Sequence, residues 1–140
     1  MLMGMKTKFF CLFALTVTLR VFAETPALAP DSVLKWDADS KEYAVQAGET
    51  SASYTFNATN ISSAEISINT LRTSCGCTVA QLPTTPYKLA PGSNVAINVS
   101  MDLRGKQGQI TKSVSVESSV GGKTLLVRVN IPMKTKSESK

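Results

Sequence analysis

From Val95 to Leu103 the chain places a large apolar residue at every second position, Val95, Ile97, Val99, Met101 and Leu103, with small or polar residues between. A period of two buries one face of a strand and cannot bury one face of a helix. The same alternation returns in Tyr54, Phe56 and Ala58, in Ile66 and Ile68, in Val114 and Val116, and in Leu125, Val127, Val129 and Ile131. No apolar stripe with a 3.6-residue period runs for a useful length after residue 23. Turn chemistry separates the runs: Pro91-Gly92, the Gly105/Gly108 pair and Gly121-Gly122. Glycine supplies the positive backbone angles that tight reversals need.

Val33–Trp36 and Tyr43–Val45 add one or two shorter strands. Seven or so strands, with turn signals roughly every 8–12 residues, predict an all-β fold: an immunoglobulin-like antiparallel β-sandwich of about seven strands. Within it the parity changes once. Ile66 and Ile68 are even, whereas Leu71, Thr73, Cys75, Cys77 and Val79 are odd. A strand keeps one face only while parity holds, so a bulge or break is expected near Asn69-Thr70.

The ends read differently from the middle. Lys6 and Lys8 precede an apolar run from Phe9 to Leu19, and Val21-Phe22-Ala23 places small residues where a signal peptidase reads them. This predicts a secretory signal over 1–23, cut after Ala23. The run falls short of the roughly 20 apolar residues that span a bilayer, so no transmembrane segment is expected after cleavage. Cys11 follows the bulky, charged Lys8-Phe9-Phe10, which does not suit lipid attachment. Residues 24–32 are expected to be a flexible leader, 33–132 the sandwich domain, and 133–140 a polar disordered tail. A periplasmic or secreted location follows.

Charge argues against nucleic acid. The chain carries 15 basic and 10 acidic residues, and removing the signal takes three basic ones with it. What remains is close to neutral and has no basic run, so no nucleic-acid partner is expected.

Cys75 and Cys77 are the cysteines left after the signal, set in Ser74-Cys75-Gly76-Cys77-Thr78. Three readings are open. A disulfide closing so small a ring stabilises by roughly 1.6 kcal/mol before strain is subtracted, so stability alone is a poor reason for the pair. A short, easily reduced ring suits a redox-tunable dithiol, with Arg72 near enough in sequence to favour a thiolate. Two thiolates also suit copper(I) or zinc. The chain has no histidine, and its only methionines beyond the signal are Met101 and Met133. A metal site would therefore need a second subunit or a partner, and no cofactor is expected. If the backbone stays extended through Gly76, both sulfurs point to one side.

Other constellations do not carry chemistry. Asp37, Asp39 and Glu42 begin like a calcium loop, but Lys41 occupies a ligand position and the required glycine is missing, so they read as solvated loop charges. Without histidine there is no Ser-His or Cys-His couple. Ser74 reads as a turn hydroxyl. No hydrolase or transferase activity is expected.

The order Phe56-x-x-x-Asn60, Ile66-x-Ile68, Ser74-Cys-Gly-Cys-Thr78, Ala90-Pro-Gly92, Ile97-x-Val99, Gly108 and Lys112 resembles the exported bacterial family catalogued as domain of unknown function 1573. The resemblance runs from about Leu34 to Ile131. It implies a sandwich related to the major-sperm-protein and ASH domains, which are binding modules. It carries over Cys75, Gly76 and Cys77 as candidate functional residues, with Ser74 and Thr78 supporting the motif. The expected role is a non-catalytic protein-interaction or envelope-structural module with a protein partner. The rival is a thiol–disulfide or copper(I)/zinc-handling protein acting through Cys75 and Cys77.

Overall fold

The structure, a computed structural model, describes residues 30–132. The expected signal, leader residues 24–29 and the tail at 133–140 lie outside the described residues. One helical turn, α1 (Pro30–Val33), leads into nine strands: β1 (Leu34–Trp36), β2 (Ser40–Ala44), β3 (Ser51–Asn60), β4 (Ile66–Thr73), β5 (Thr78–Gln81), β6 (Tyr87–Leu89), β7 (Asn94–Asp102), β8 (Gly108–Ser118) and β9 (Gly121–Ile131). They form two sheets, ordered β1-β3-β7-β5 and β2-β9-β8-β4-β6.

Alternation explains the layering. In β3 the buried residues are Ala52, Tyr54, Phe56, Ala58 and Asn60, and in β7 they are Val95, Ile97, Val99 and Met101. These pack against Ile66, Ile68, Val114, Val116, Leu125, Val127 and Val129 of the other sheet in one core. Burying each large aliphatic or aromatic side chain is worth about 1.5–3 kcal/mol, which makes this layer the main source of stability. Tyr54 also ties the layers by a polar bond, its hydroxyl donating to the Arg128 carbonyl at 2.7 Å.

Three details differ from the alternation pattern or extend it. Nine strands form rather than about seven, because β5 and β6 have four and three residues, too few to show a period. All pairings are antiparallel except β2 with β9, which run parallel, since the chain leaves β2 for the opposite sheet instead of turning back beside it. The parity change in β4 is a register shift between Ile68 and Thr70 against β8, at the expected place. It turns Leu71 and Thr73 toward the interior side after Ile68.

At the end of the sandwich where β3 finishes, Asn60 is fully buried and ties several connections together. Its amide nitrogen donates to the carbonyls of Ala64 at 2.7 Å and Leu89 at 2.9 Å, and its side-chain oxygen accepts from the Ser62 N–H and hydroxyl. Its own carbonyl accepts from Gly92, whose φ of 75° completes the Ala90–Ser93 turn.

Candidate functional site

The opposite end of the sandwich carries the cysteines. Ser51 pairs with Asp102, and Thr78 pairs with Met101, so β3 and β5 begin where β7 ends. Three connections therefore gather there: residues 45–50, residues 74–77 and residues 103–107. The middle one crosses from the sheet holding β4 to the sheet holding β5. The backbone turns at Cys75–Cys77 instead of running extended, because the crossing requires it. The condition for two sulfurs on one face of a strand is thus not met. The turn itself brings the Sγ atoms together, 2.17 Å apart with the Cα atoms 5.4 Å apart.

Hydrogen bonds that do not involve sulfur hold this turn. The Ser74 N–H donates to the Ser113 carbonyl at 3.0 Å, and the Ser74 hydroxyl accepts from the Ser113 N–H at 3.1 Å. Ser74 is a turn hydroxyl. The Cys75 carbonyl accepts from the Thr73 hydroxyl at 3.1 Å and from the Thr78 N–H at 3.2 Å. The Cys77 carbonyl accepts from the Asp102 N–H at 2.8 Å. Cys75 and Cys77 are half-buried, Gly76 is exposed, and Thr78 is buried at 2% exposure. The Thr78 Oγ1 lies 3.7 Å from the Cys75 sulfur and 3.8 Å from the Cys77 sulfur. Arg72 is exposed on β4.

Beside the turn, Asp102 and Arg104 form a bidentate pair. Arg104 Nε donates to Oδ1 at 3.0 Å, a guanidinium nitrogen donates to Oδ2 at 2.6 Å, and the Arg104 N–H donates to Oδ1. These bonds hold the Asp102 carboxyl far below the usual carboxylate range. Arg104 and Thr50 line two adjoining cavities of about 310 and 600 Å³. The larger opens among Val45, Leu103, Ile131 and Pro132, with Lys106 and Glu49 also on its wall. Glu49 accepts from the Gln46 N–H and the Tyr43 hydroxyl, each at 2.8 Å, which lowers its pKa and raises that of Tyr43.

The sequence reading singled out the pentapeptide but missed this neighbourhood. A signal was present: Asp102-Leu-Arg-Gly105 has an aspartate able to cap its own turn and a glycine three residues on. Two of the carboxylates that resembled a calcium loop make specific pairs instead of standing as idle charges. Asp37 accepts from Asn57 on β3 and from Lys41 on β2, and Asp39 and Asp31 pair with Lys123. Among the described residues no group of three or more His, Cys, Asp or Glu side chains converges on a point that could hold a metal. Among the same residues, no helix is long and apolar enough to cross a membrane.

Residues 34–131 match the family described as "Protein of unknown function (DUF1573)". No curated protein matches the sequence. Among solved structures, a protein of unknown function from Porphyromonas gingivalis W83 is similar at 15% identity and a TM-score of 0.62, covering 77% of this chain and 51% of that one. The ASH/PapD-like domain 7 of human CEP192 is similar at 9% identity and 0.57, covering 76% of this chain and 90% of that one. The periplasmic chaperone SfaE is similar at 11% identity and 0.53, covering 75% and 59%. The chain thus spans about half the length of the Porphyromonas protein. At these identities the likeness establishes the immunoglobulin-like fold.

Proposed function

Because the chain belongs to the DUF1573 family, whose function is open, we propose, as our own reading, that it is an exported, non-catalytic interaction module. In this reading it binds a partner protein in the cell envelope through the end of the sandwich that carries the Cys75–Cys77 turn. One observation carries the reading: three connections between the sheets meet at that end, and two of them, residues 45–50 and 103–107, line a cavity of about 600 Å³ that mixes apolar walls with Arg104, Lys106 and Glu49. Loops fixed on a rigid sandwich are where such folds place recognition. An apolar cavity with a few polar groups is the usual form of a binding site. Cys75 and Cys77 form a disulfide that closes the crossover turn in the exported protein. The ASH/PapD-like and chaperone neighbours support a binding module over an enzyme.

The experiment is site-specific photo-crosslinking in cells, with the photoreactive residue at Gly76 or Lys106 and, as control, at Ser119 on the far end. The intact mass of the exported, thiol-trapped protein is read alongside. Discrete crosslinked species from Gly76 and Lys106 alone, and a mass beginning at Glu24 and short by two hydrogens, are expected. Equal crosslinking from Ser119, or none from any position, would overturn the binding reading. Two alkylated thiols would overturn the disulfide.

A further inference from the structure

Thr78 is buried, yet among the described residues its hydroxyl has no nitrogen or oxygen partner. It faces only the two sulfurs, at 3.7 and 3.8 Å. A disulfide sulfur is a weak acceptor, so this hydroxyl is poorly satisfied while the sulfurs are joined. A thiolate is a strong, charged acceptor, and hydrogen bonds to charged groups are roughly twice as strong as neutral ones. The site is therefore better matched to a released thiolate than to the closed pair. A fixed donor that gains strength only as charge develops lowers the barrier to that step.

Two further features suit exchange. Around the position where a side chain at Gly76 would begin, no atom beyond its two chain neighbours lies within 4 Å, so the outer side of the turn is open. The bonds to the Ser113 backbone, the Thr73 hydroxyl and the Asp102 N–H hold the turn without help from sulfur, so breaking the bond leaves both cysteines in place.

From this arrangement we infer that Cys75–Cys77 is a thiol–disulfide exchange site, and that Thr78 stabilises the sulfur that leaves. An external thiolate attacks one of the two sulfurs, and its electron pair forms the new S–S bond. The pair of the broken bond departs with the other sulfur as a thiolate, which accepts the Thr78 O–H. A second external thiolate then attacks the mixed disulfide at the external sulfur. It releases the remaining cysteine thiolate and leaves the external couple as its disulfide. Two electrons enter the protein, the two protein thiolates take up protons from solvent as their pKa values dictate, and the external thiols are the reductant. The reverse sequence oxidises the protein. The inference rests on the disulfide proposed above and not on the partner-binding role.

The test uses the full exported chain in glutathione/glutathione disulfide buffers, with alkylation and intact mass as the readout. The variants are Thr78→Val, which keeps the shape without the hydroxyl, and Thr78→Ser, which restores it. Wild type is expected to be reduced about tenfold faster than Thr78→Val, with Thr78→Ser near wild type. The lower thiol pKa of the reduced protein, from ultraviolet thiolate absorbance, should rise by about one unit in Thr78→Val. Equal rates and equal thiol pKa values in folded wild type and Thr78→Val would overturn the inference. Should Thr78→Val not fold, the comparison passes to Thr78→Ala, judged by the same two readouts. If the protein is isolated as the dithiol, the disulfide reading fails, and exchange is judged by its oxidation with glutathione disulfide. No acceleration by the hydroxyl in that direction would overturn it too.

Discussion

The N–H of Asp102 donates to the carbonyl of Cys77 at 2.8 Å, so the residue that pairs with Arg104 also fixes the far side of the cysteine turn. Asp102 thereby joins the crossover between the sheets to the cavity that Arg104 lines.

This relationship predicts how little the sulfurs matter to the fold. Closing a ring of about three residues is worth roughly 1.6 kcal/mol in the chain-entropy picture. The backbone bonds of Ser74, Cys75 and Cys77 remain when both cysteines become serine. Cys75→Ser with Cys77→Ser is expected to lose about 1–2 kcal/mol and keep a cooperative transition, as measured by urea unfolding. A loss near 4 kcal/mol, or an unfolded protein, would contradict this account of what holds the turn.

Asn60 is expected to matter more than the Cys75–Cys77 pair. Asn60→Ala removes bonds to Ala64, Leu89 and Ser62 in a fully buried place. The Leu89 carbonyl then loses a donor and the Ser62 N–H its acceptor, while the Ala64 carbonyl keeps the Ser62 hydroxyl, at about 1–3 kcal/mol for each group left without a partner. Asn60→Asp should be worse, because it supplies no amide donor and brings a charge into the core. Unfolding free energies should order wild type, then Asn60→Ala, then Asn60→Asp. A loss below about 1 kcal/mol for Asn60→Ala would show that water replaces these bonds.

Sequence alone carried the sheets but not the joins between them. In β3, β7 and β9 the alternation is long enough to fix a face, and the residues it selects are buried, with only the terminal Ile131 half-buried. The odd parity of Leu71 and Thr73 likewise placed the bulge after Ile68. Asn60 is a polar residue whose burial no local pattern announces, because its partners at Leu89 and Gly92 are about 30 residues away. The cysteines were conspicuous from composition, yet what surrounds them was not. Thr78 sits beside them in sequence, whereas Asp102 and Ser113 reach them through strand pairing, which no local pattern encodes. The parallel β2–β9 pair was hidden for the same reason, since Ser-Lys-Glu-Tyr-Ala is polar and joins a strand some 85 residues later.

Acid should weaken the cysteine end. Asp102 is held far below its usual pKa by the Arg104 side chain first and the Arg104 N–H second, and Glu49 is lowered by the Gln46 N–H and Tyr43. A carboxylate with a depressed folded pKa adds stability that is complete above its unfolded value, about 4, and is lost as pH falls through the folded value. Melting temperature should therefore fall below about pH 4, and Asp102→Asn should flatten part of that fall. An identical acid profile in Asp102→Asn would mean that the exposed pair contributes nothing measurable, as many surface pairs do.

Alkali should loosen the bridge between the sheets. Burial, more than the nearby charge of Glu42, raises the Tyr54 pKa to about 12, while its hydroxyl donates to Arg128. The unfolded value is near 10, so the folded state holds this proton more tightly. The associated stability is fully present below pH 10 and is lost as pH rises through 12. Tyr54→Phe should cost about 1 kcal/mol at neutral pH, because the Arg128 carbonyl loses its donor. It should also lack the decline between pH 10 and 12 that wild type shows in urea midpoints, beyond the decline common to both proteins. Matching alkaline profiles in the two proteins would place the origin of that decline in other groups and remove Tyr54 as the inter-sheet tie.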